Sequence, residues 1–381
     1  MSLSAAIGPR TIAERVARLN WGIITLMCAL AFVGVLMHFS VANSGARLDM
    51  PVTHGLRFAI LLAIAVVAAM FLDTRFWLAI SYPLYSSALI LLLAVEVIGE
   101  TRMGATRWLS IGPVSLQPSE FMKVGIILAL AKYYMQIGPR RAGAILWSAP
   151  AFLAILAPVA LVMHQPDLGT AMLIMFAGLA TMFLAGLSWW IVGSGVILGA
   201  AGALFAYNYV LQDYQRNRVD VFLGLSNDPL GAGYHVLQSK IAIGSAGLFG
   251  RGYLQGSQAQ LDFLPEKHTD FIFTMIVEEF GLIGGAVVLV LFGALMALAM
   301  QVALRARTMF SKLAAASVAA MLASYVLINT AMVIGLVPVV GIPLPMISFG
   351  GTAMMTLMVG FCIVLSIDLH KDAHGSRGWL W

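Results

Sequence analysis

The sequence predicts an all-α polytopic membrane protein with about ten transmembrane helices. Its 381 residues are 61% hydrophobic and only 10% charged, whereas roughly 25% of the residues in soluble domains are charged. Apolar runs of about 17 to 25 residues, the length at which a helix crosses a hydrocarbon core, recur along the whole chain. Basic residues cluster beside alternate runs, as expected of cytoplasmic loops. These observations exclude a water-soluble fold.

The predicted spans are helical in length, and a helix satisfies every backbone N–H and C=O group within lipid. Arg10, Arg15 and Arg18 precede the first run and imitate a signal peptide, but the run is too long for one and further spans follow. We therefore expect an uncleaved first helix. The ten predicted spans cover residues 21–42, 56–72, 77–98, 118–136, 145–163, 168–186, 189–210, 271–302, 313–336 and 350–368.

The distribution of Lys and Arg predicts the orientation. With a cytoplasmic N-terminus, twelve of the 22 Lys and Arg residues lie on the cytoplasmic side, and the short loops of the other side hold five. Both termini are therefore expected in the cytoplasm. The net charge of +5 follows from these flanking residues and predicts anionic lipid headgroups, not nucleic acid, as the electrostatic partner. Cys28 and Cys362 lie inside predicted spans, so no disulfide framework is expected.

One long polar segment, about residues 211–269, separates the seventh and eighth spans and is predicted to be an extracytoplasmic loop. Residues 236–243 within it are expected to form a short helix on the membrane surface. Its glycines match neither the G-x-G-x-x-G nor the Walker pattern, which favours a compact loop over a phosphate-binding one. Residues 1–371 are predicted to form a single membrane domain, followed by a cytoplasmic tail at residues 372–381.

The fourth span begins with a charged pair. Pro118 suits the first helical position, and Glu120 in the first turn complements the helix dipole. Lys123 has the wrong sign for that dipole but shares a face with Glu120 at i, i+3 spacing. The pair is either a structural salt bridge, or Lys123 also faces an anionic ligand. Upstream, Arg107 adds a cation, and Trp108 adds a ring that an aromatic belt would equally explain.

The eighth span begins beside Asp270. An aspartate at this junction is either an N-cap or an ionised group aimed at the outer surface, which suits a general base or a cation ligand. His268 is a candidate second proton-transfer group, although a hydrogen-bonding role is the alternative. Glu278 and Glu279 lie about 12 Å deeper at 1.5 Å per residue, and a hydrogen-bonded network is their expected role.

Two breaks interrupt the apolar runs. Pro338, Pro343 and Pro345 forbid a continuous helix between the ninth and tenth spans. Non-helical backbone at membrane depth is tolerated where it is buried in protein or lines a wet cavity, so we expect a dipping loop beside a cavity. The break between the fifth and sixth spans contains Asp167, an expected helix cap.

Four stretches of the chain carry motifs. They are Arg107-Trp108 with Gln117-Pro118-Ser119-Glu120 and Lys123, then Gln165 to Thr170, then Pro265 to Phe273, then Asn329 to Gly351. Together they resemble the SEDS family (shape, elongation, division and sporulation), which includes RodA and FtsW, in order, spacing and sidedness over nearly all ten helices. Residues 261–270, L-D-F-L-P-E-K-H-T-D, look more like the elongation branch, RodA, than like FtsW.

The resemblance implies a multi-pass protein of the bacterial inner membrane that polymerises peptidoglycan during cell elongation, joining lipid II disaccharide units by β-1,4 linkage. It implies a class B penicillin-binding protein and other elongation-complex proteins as partners. Asp270 matches the family's essential aspartate, and is the expected catalytic residue. The expected substrate-binding residues are Arg107, Trp108, Glu120, Lys123, Lys267, His268 and Ser348.

The implied mechanism assigns each group a role. Asp270 deprotonates the acceptor 4-hydroxyl, or holds a divalent cation (Mg²⁺ or Mn²⁺) that does, while Arg107 and Lys123 stabilise the departing pyrophosphate. Because no D-x-D motif is present, metal dependence stays open. The alternative function is a lipid II flippase, for which Glu278, Glu279 and the broken spans would be translocation features. A scaffold that only recruits cell-wall enzymes would leave Lys123 unexplained.

Overall fold

A computed structural model describes residues 11–43, 49–102, 105–111, 114–225, 232–256, 258 and 267–371. The predicted tail and the 261–266 part of the elongation-branch motif lie outside these residues, and the single-domain assignment stays a prediction. The helices are α1 Ile12–Ala17, α2 Trp21–Asn43, α3 Met50–Phe71, α4 Thr74–Ile98, α5 Pro118–Ile137, α6 Pro139–Ala142, α7 Ile145–His164, α8 Leu168–Leu184, α9 Trp189–Tyr209, α10 Asp213–Phe222, α11 Ala232–Ser245, α12 Ile272–Arg305, α13 Met309–Val333 and α14 Gly351–His370.

Ten of these helices coincide with the ten predicted spans, which confirms the fold class. Among the described residues, eight helices are long and apolar enough to cross a membrane: α2, α3, α4, α7, α9, α12, α13 and α14. The other two are α8, which has only 17 residues, and α5, which carries Glu120, Lys123 and Lys132. Both pack laterally against the longer helices. The helical bundle therefore contains all ten.

The core of the bundle surrounds α5. This helix packs against α4, α7, α8, α13 and α14, and most of its residues are buried. Its charged groups thus lie inside protein, where lipid does not reach them. By contrast, the described residues of α9 include no buried side chain, as expected of a peripheral helix whose sequence is apolar all round.

A small antiparallel sheet lies between α4 and α5, in a loop for which the sequence analysis predicts no strand. Its strands are β1 Glu100–Arg102, β2 Ala105–Ile111 and β3 Val114–Leu116, in the order β1-β2-β3. Glu100 is opposite Trp108, and Leu109 is opposite Leu116. The β-branched and aromatic residues of β2, followed in the sequence by Gly112-Pro113, are the signal that predicts such a hairpin.

The start of α2 and the end of α14 meet at one end of the bundle. Asn20 at the start of α2 donates a hydrogen bond to Asp368 near the end of α14, at 3.1 Å. Arg15 of α1 donates to the carbonyl of Met70, the penultimate residue of α3, at 2.6 Å. An even number of spans requires this arrangement, which agrees with termini on the same side. The sheet, the long loop and the proline-rich loop lie at the opposite end.

The long loop contains two described helices. The helix predicted at residues 236–243 is present as α11, extended at both ends, whereas α10 is an addition to the prediction. The segment that follows α11 packs against a break in α12, a helix of 34 residues that is interrupted at Gly281 (φ 72°). Arg251 and Gly252 donate backbone hydrogen bonds to Glu278 and Glu279 at 2.9 and 3.0 Å. The glycines of this segment therefore allow its backbone to lie close to the backbone of α12.

The proline-rich loop, residues 334–350, is non-helical and dips into the protein, as predicted. Leu344, Met346 and Ile347 within it are fully buried. Met346 has a φ of 66°, which is strained for a residue with a side chain. His54 of α3 contacts the Met346 carbonyl at 2.9 Å. The loop is thus held inside protein, which satisfies the condition for irregular backbone at this depth.

Candidate active site

Asp270 lies where the long loop enters α12. The helix begins at Ile272 and Phe271 occupies its N-cap position, which disfavours the N-cap alternative for Asp270. The Asp270 carboxylate instead lies over the proline-rich loop. A Cβ placed on Gly341 would be 3.4 Å from Oδ2, in ordinary contact. Gly341 itself has a φ of 72°, a conformation that favours glycine.

A cavity of about 220 Å³ adjoins this loop. Four elements enclose it: β2, the α7–α8 break, α10 and the proline-rich loop. Its wall is lined by Arg107, Pro166, Asp167, Leu168, Gln215, Arg218, Val219, Pro338, Val339 and Val340. Val340 is the neighbour of Gly341, so the cavity reaches to within one residue of the Asp270 contact. The predicted combination of dipping loop and cavity is confirmed.

Two guanidinium groups and one carboxylate give this first cavity its charge. Arg107 lies 3.5 Å from Asp167, and its side chain is 33% exposed. Among the described residues, the buried Nε of Arg107 has no hydrogen-bond partner. Arg218 of α10 donates to the carbonyl of Val339 at 2.9 Å. With a single carboxylate against two cations, the wall carries excess positive charge suited to phosphate.

Asp167 also caps α8, as predicted. Its Oδ1 accepts a hydrogen bond from the backbone N–H of Thr170 at 3.1 Å. Its Oδ2 is 3.5 Å from Nε2 of Gln117, the N-cap residue of α5. One carboxylate therefore joins the starts of two helices to Arg107 and fixes the orientation of the cationic wall.

A second cavity of about 200 Å³ lies on the other side of Arg218. It shares Arg218, Pro338 and Val339 with the first cavity and adds residues of α11, including Lys240. The Lys240 side chain passes over Gly335, where a Cβ would collide with its Cε. Both cavities thus contain a cation, and Arg218 stands between them.

Glu120 and Lys123 form the predicted ion pair. Lys123 Nζ lies 2.9 Å from Glu120 Oε1 and donates to the hydroxyl of Tyr325 at 2.6 Å. Thr356 of α14 donates to the other carboxylate oxygen of Glu120. Only 2% of the Lys123 side chain is exposed, and neither member of the pair lines the two cavities. The structure therefore favours the salt-bridge alternative, and contact of either residue with substrate stays a prediction.

The remaining predicted site residues lie on β2, in the turn before Asp270 and in the proline-rich loop. Trp108 is half-buried on β2 next to Arg107. Lys267 is buried in the turn before Asp270, and the His268 ring lies 6.2 Å from that of Phe349. Ser348 is buried and hydrogen-bonded to backbone on both sides of the site. Their substrate contacts stay predictions.

Several residues of this region have no counterpart among the sequence predictions. His38 and His54 are buried in α2 and α3 with ring centroids 4.6 Å apart, and the His38 ring packs against Phe349. The guanidinium carbon of Arg57 lies over the same Phe349 ring, 5.2 Å from its centroid. Ionisable residues inside apolar spans are functional candidates by default, and this signal could have identified His38, whereas His54 precedes the predicted 56–72 span. Nothing in the sequence separates Arg218 from the other cations of the long loop.

Fold and site together define a polytopic helical membrane protein with cationic cavities beside a carboxylate, at the end of the bundle opposite the termini. Comparison with known proteins gives the family. The chain belongs to the FtsW/RodA/SpoVE family of cell cycle proteins, whose model matches residues 19–373.

Three relatives illustrate the similarity. The peptidoglycan glycosyltransferase MrdB of Escherichia coli strain K12 is 45% identical over 289 residues, which cover 76% of this chain and 77% of MrdB. A chain from a structure described as the structural coordination of polymerization and crosslinking by a peptidoglycan synthase complex has a TM-score of 0.76 and 32% identity. The match covers 94% of this chain and 99% of that chain. The rod shape determining protein RodA of Thermus thermophilus has a TM-score of 0.67 and 27% identity and covers 95% and 99%.

Proposed function

We propose that this protein is a peptidoglycan glycosyltransferase of the RodA type that polymerises lipid II at the extracytoplasmic face of the bacterial inner membrane. The observation that carries the proposal is the placement of Asp270 against the proline-rich loop whose adjoining residues form the wall of the Arg107–Arg218 cavity. Family membership and the glycosyltransferase names of the relatives support this activity over transport of lipid II.

The reaction needs a base at the acceptor and positive charge at the leaving group. Asp270 accepts the proton of the acceptor 4-hydroxyl as that oxygen forms a bond to the anomeric carbon of the donor. The bond from this carbon to the phosphate oxygen breaks, and the polyprenyl pyrophosphate leaves with the electron pair. Because attack and departure occur on opposite faces, an α-linked donor gives a β-linked product.

The guanidinium groups of the first cavity are assigned to the leaving group. Pyrophosphate gains charge as the glycosidic bond breaks, so fixed cations stabilise the transition state more than the ground state. Arg107 and Arg218 are half-exposed on the cavity wall and suit this role. Lys123 is assigned to the structural pair with Glu120, which keeps the start of α5 in place.

A divalent cation would have a limited ligand set. Within the described part of the chain, no group of three or more His, Cys, Asp or Glu side chains is arranged to hold a metal. Mg²⁺ often binds through one or two carboxylates together with substrate phosphates, and Asp270 fits that mode. When bound there, the ion would supply neutralising charge for the pyrophosphate.

Partners follow from the same proposal. We infer a class B penicillin-binding protein as the crosslinking partner, supported by similarity to the chain of a complex that coordinates polymerization and crosslinking. We infer other proteins of the elongation machinery as further partners, and the similarity to the rod shape determining protein RodA supports this inference.

The test is polymerisation in detergent. The purified protein, alone and with a class B penicillin-binding protein, is incubated with lipid II, and glycan strands are resolved on gels. A polymerase is expected to produce strands. Transport could not account for them, because detergent solution contains no bilayer across which lipid could be flipped. Asp270→Asn protein from the same preparation is the control. Absence of strands in both conditions, together with lipid II translocation in vesicles, would replace the polymerase with the flippase.

A further inference from the structure

Three successive backbone carbonyl groups around Asp270 are each held by one donor from outside their own segment. His268 O accepts from Phe349 N at 2.8 Å, Thr269 O from Ser348 Oγ at 2.6 Å, and Asp270 O from Asn329 Nδ2 at 2.8 Å. We call Asn329, Ser348 and Phe349 the carbonyl clamp.

These carbonyl groups need donors from elsewhere because they precede α12, which begins at Ile272. A buried carbonyl that is neither in a helix nor solvated loses free energy unless a side chain or another backbone segment satisfies it. Asn329 is 0% exposed and Ser348 is 2% exposed, so the two donor side chains are shielded from competing water, while the acceptor residues Thr269 and Asp270 are half-buried. The clamp thus determines the backbone position of Asp270.

Both polar side chains of the clamp also hold the proline-rich loop. Asn329 Nδ2 donates to the carbonyl of Ile342 at 2.7 Å, and Ser348 Oγ accepts from the N–H of Leu344 at 2.7 Å. Ile342 follows Gly341, the residue under the Asp270 carboxylate. One pair of side chains therefore sets the distance between this carboxylate and the loop that forms the cavity wall.

We propose that Asn329 and Ser348 are positioning residues for Asp270, acting through its backbone and through the loop beneath its carboxylate. The inference rests on the proposed function, in which Asp270 is the general base. It gives Ser348 a role other than the substrate contact expected from the sequence. Misplacing a catalytic group by about 1 Å can cost on the order of 100-fold in rate, so the clamp controls turnover more than substrate affinity.

The experiment measures polymerisation kinetics of full-length Asn329→Leu and Ser348→Ala with lipid II. Ser81→Ala is the matched control, because Ser81 is fully buried in α4 and its hydroxyl donates to the Trp77 carbonyl at 2.7 Å. We expect kcat to fall about tenfold or more in both clamp variants while KM changes less than about twofold. The control should keep both constants.

Two outcomes overturn the inference. Folded clamp variants with wild-type kcat would show that Asp270 does not depend on these hydrogen bonds. A raised KM with unchanged kcat in Ser348→Ala would return Ser348 to substrate binding. Should a variant fail to fold, Asn329→Ala or Ser348→Gly, which remove the same donors, takes its place with the same criteria.

Failure of the proposed function is recognised separately. If Asp270→Asn polymerises lipid II at the wild-type rate, Asp270 is not the base, whatever the clamp variants do. If Asp270→Asn is inactive and the clamp variants are fully active, only the positioning inference falls.

Discussion

At the scale of single residues, a substitution of Asp270 distinguishes an effect on catalysis from an effect on folding. Asparagine has the same shape as aspartate but takes up no proton at neutral pH. Because Phe271 and not Asp270 occupies the N-cap position of α12, Asp270→Asn removes no N-cap.

We therefore expect Asp270→Asn to fold, insert and retain its melting temperature. The loss of a general base typically costs 10²- to 10⁴-fold in rate, so glycan synthesis from lipid II should become undetectable. Gel analysis of strands, alongside the melting temperature from tryptophan fluorescence, measures both quantities. Polymerisation near the wild-type rate would contradict the proposed mechanism.

Substitution of Lys123 measures how much stability is lost when a buried carboxylate has no cation beside it. Lys123→Met keeps the stem and removes the ammonium group, which leaves the Glu120 carboxylate buried without its cation. Breaking one side of a buried ion pair costs about 3 to 5 kcal/mol, so the melting temperature should fall markedly. The double variant Glu120→Gln/Lys123→Met removes both charges and should recover most of the loss.

The double variant also distinguishes the two roles considered for Lys123. If the ion pair is structural, activity should return with the melting temperature. Persistent inactivity in a protein of restored stability would assign Lys123 to the substrate phosphate instead.

At the scale of elements, the break in α12 joins the long loop to the bundle. Leu282 and Ile283 donate backbone hydrogen bonds to Gly247 and Leu248 at 3.1 and 3.2 Å. With the two bonds that run the other way, the loop replaces the helical hydrogen bonds lost at Gly281. Beside the break, Ser40 donates to Glu279, and Gln258 N–H donates to Glu278 Oε1 at 2.9 Å. Each glutamate therefore accepts a hydrogen bond inside the protein, and their role in a hydrogen-bonded network stays a prediction.

Gly281→Ala is expected to disrupt this junction. A Cβ there would collide with the Leu248 carbonyl, and alanine is strained at a φ of 72°. Gly293→Ala on the same helix is the control, since a Cβ at Gly293 meets nothing within 4 Å. Limited proteolysis should cleave the loop around residues 247–252 faster in Gly281→Ala only. Equal cleavage in both variants would show that the loop does not depend on this contact.

At the scale of the whole molecule, sidedness can be measured directly. In a background of Cys28→Ala and Cys362→Ala, single cysteines are placed at Leu225 at the end of α10 and at Arg140 on α6, both exposed. In intact spheroplasts, an impermeant thiol reagent should label position 225 and leave position 140 unlabelled until the membrane is opened. The reverse pattern would invert the predicted orientation.

The sequence by itself determined the properties that depend on local composition. Apolar runs of spanning length specify helices because lipid offers no partner for the backbone, and all ten predicted spans are present as helices. The start of α5 at Pro118, the cap of α8 by Asp167 and the lack of a helix in the proline-rich described segment before α14 were all predicted from the sequence. Each of these effects acts within a few residues. Asp270 and Arg107 were predicted as site residues from the chain alone, by motif and charge.

Only the tertiary structure decided which polar groups meet. Arg218 lies more than a hundred residues from both Arg107 and Val339 in the sequence. It reaches the same cavity as Arg107 because α10 packs against the proline-rich loop. The fold places Lys123 in a buried ion pair with Glu120 and gives it the Tyr325 hydroxyl as a second acceptor, which its position in the sequence did not show. The carbonyl clamp likewise depends on a contact between segments about 60 to 80 residues apart. Such long-range hydrogen bonds leave no periodic pattern in a sequence, because their geometry is set by helix packing.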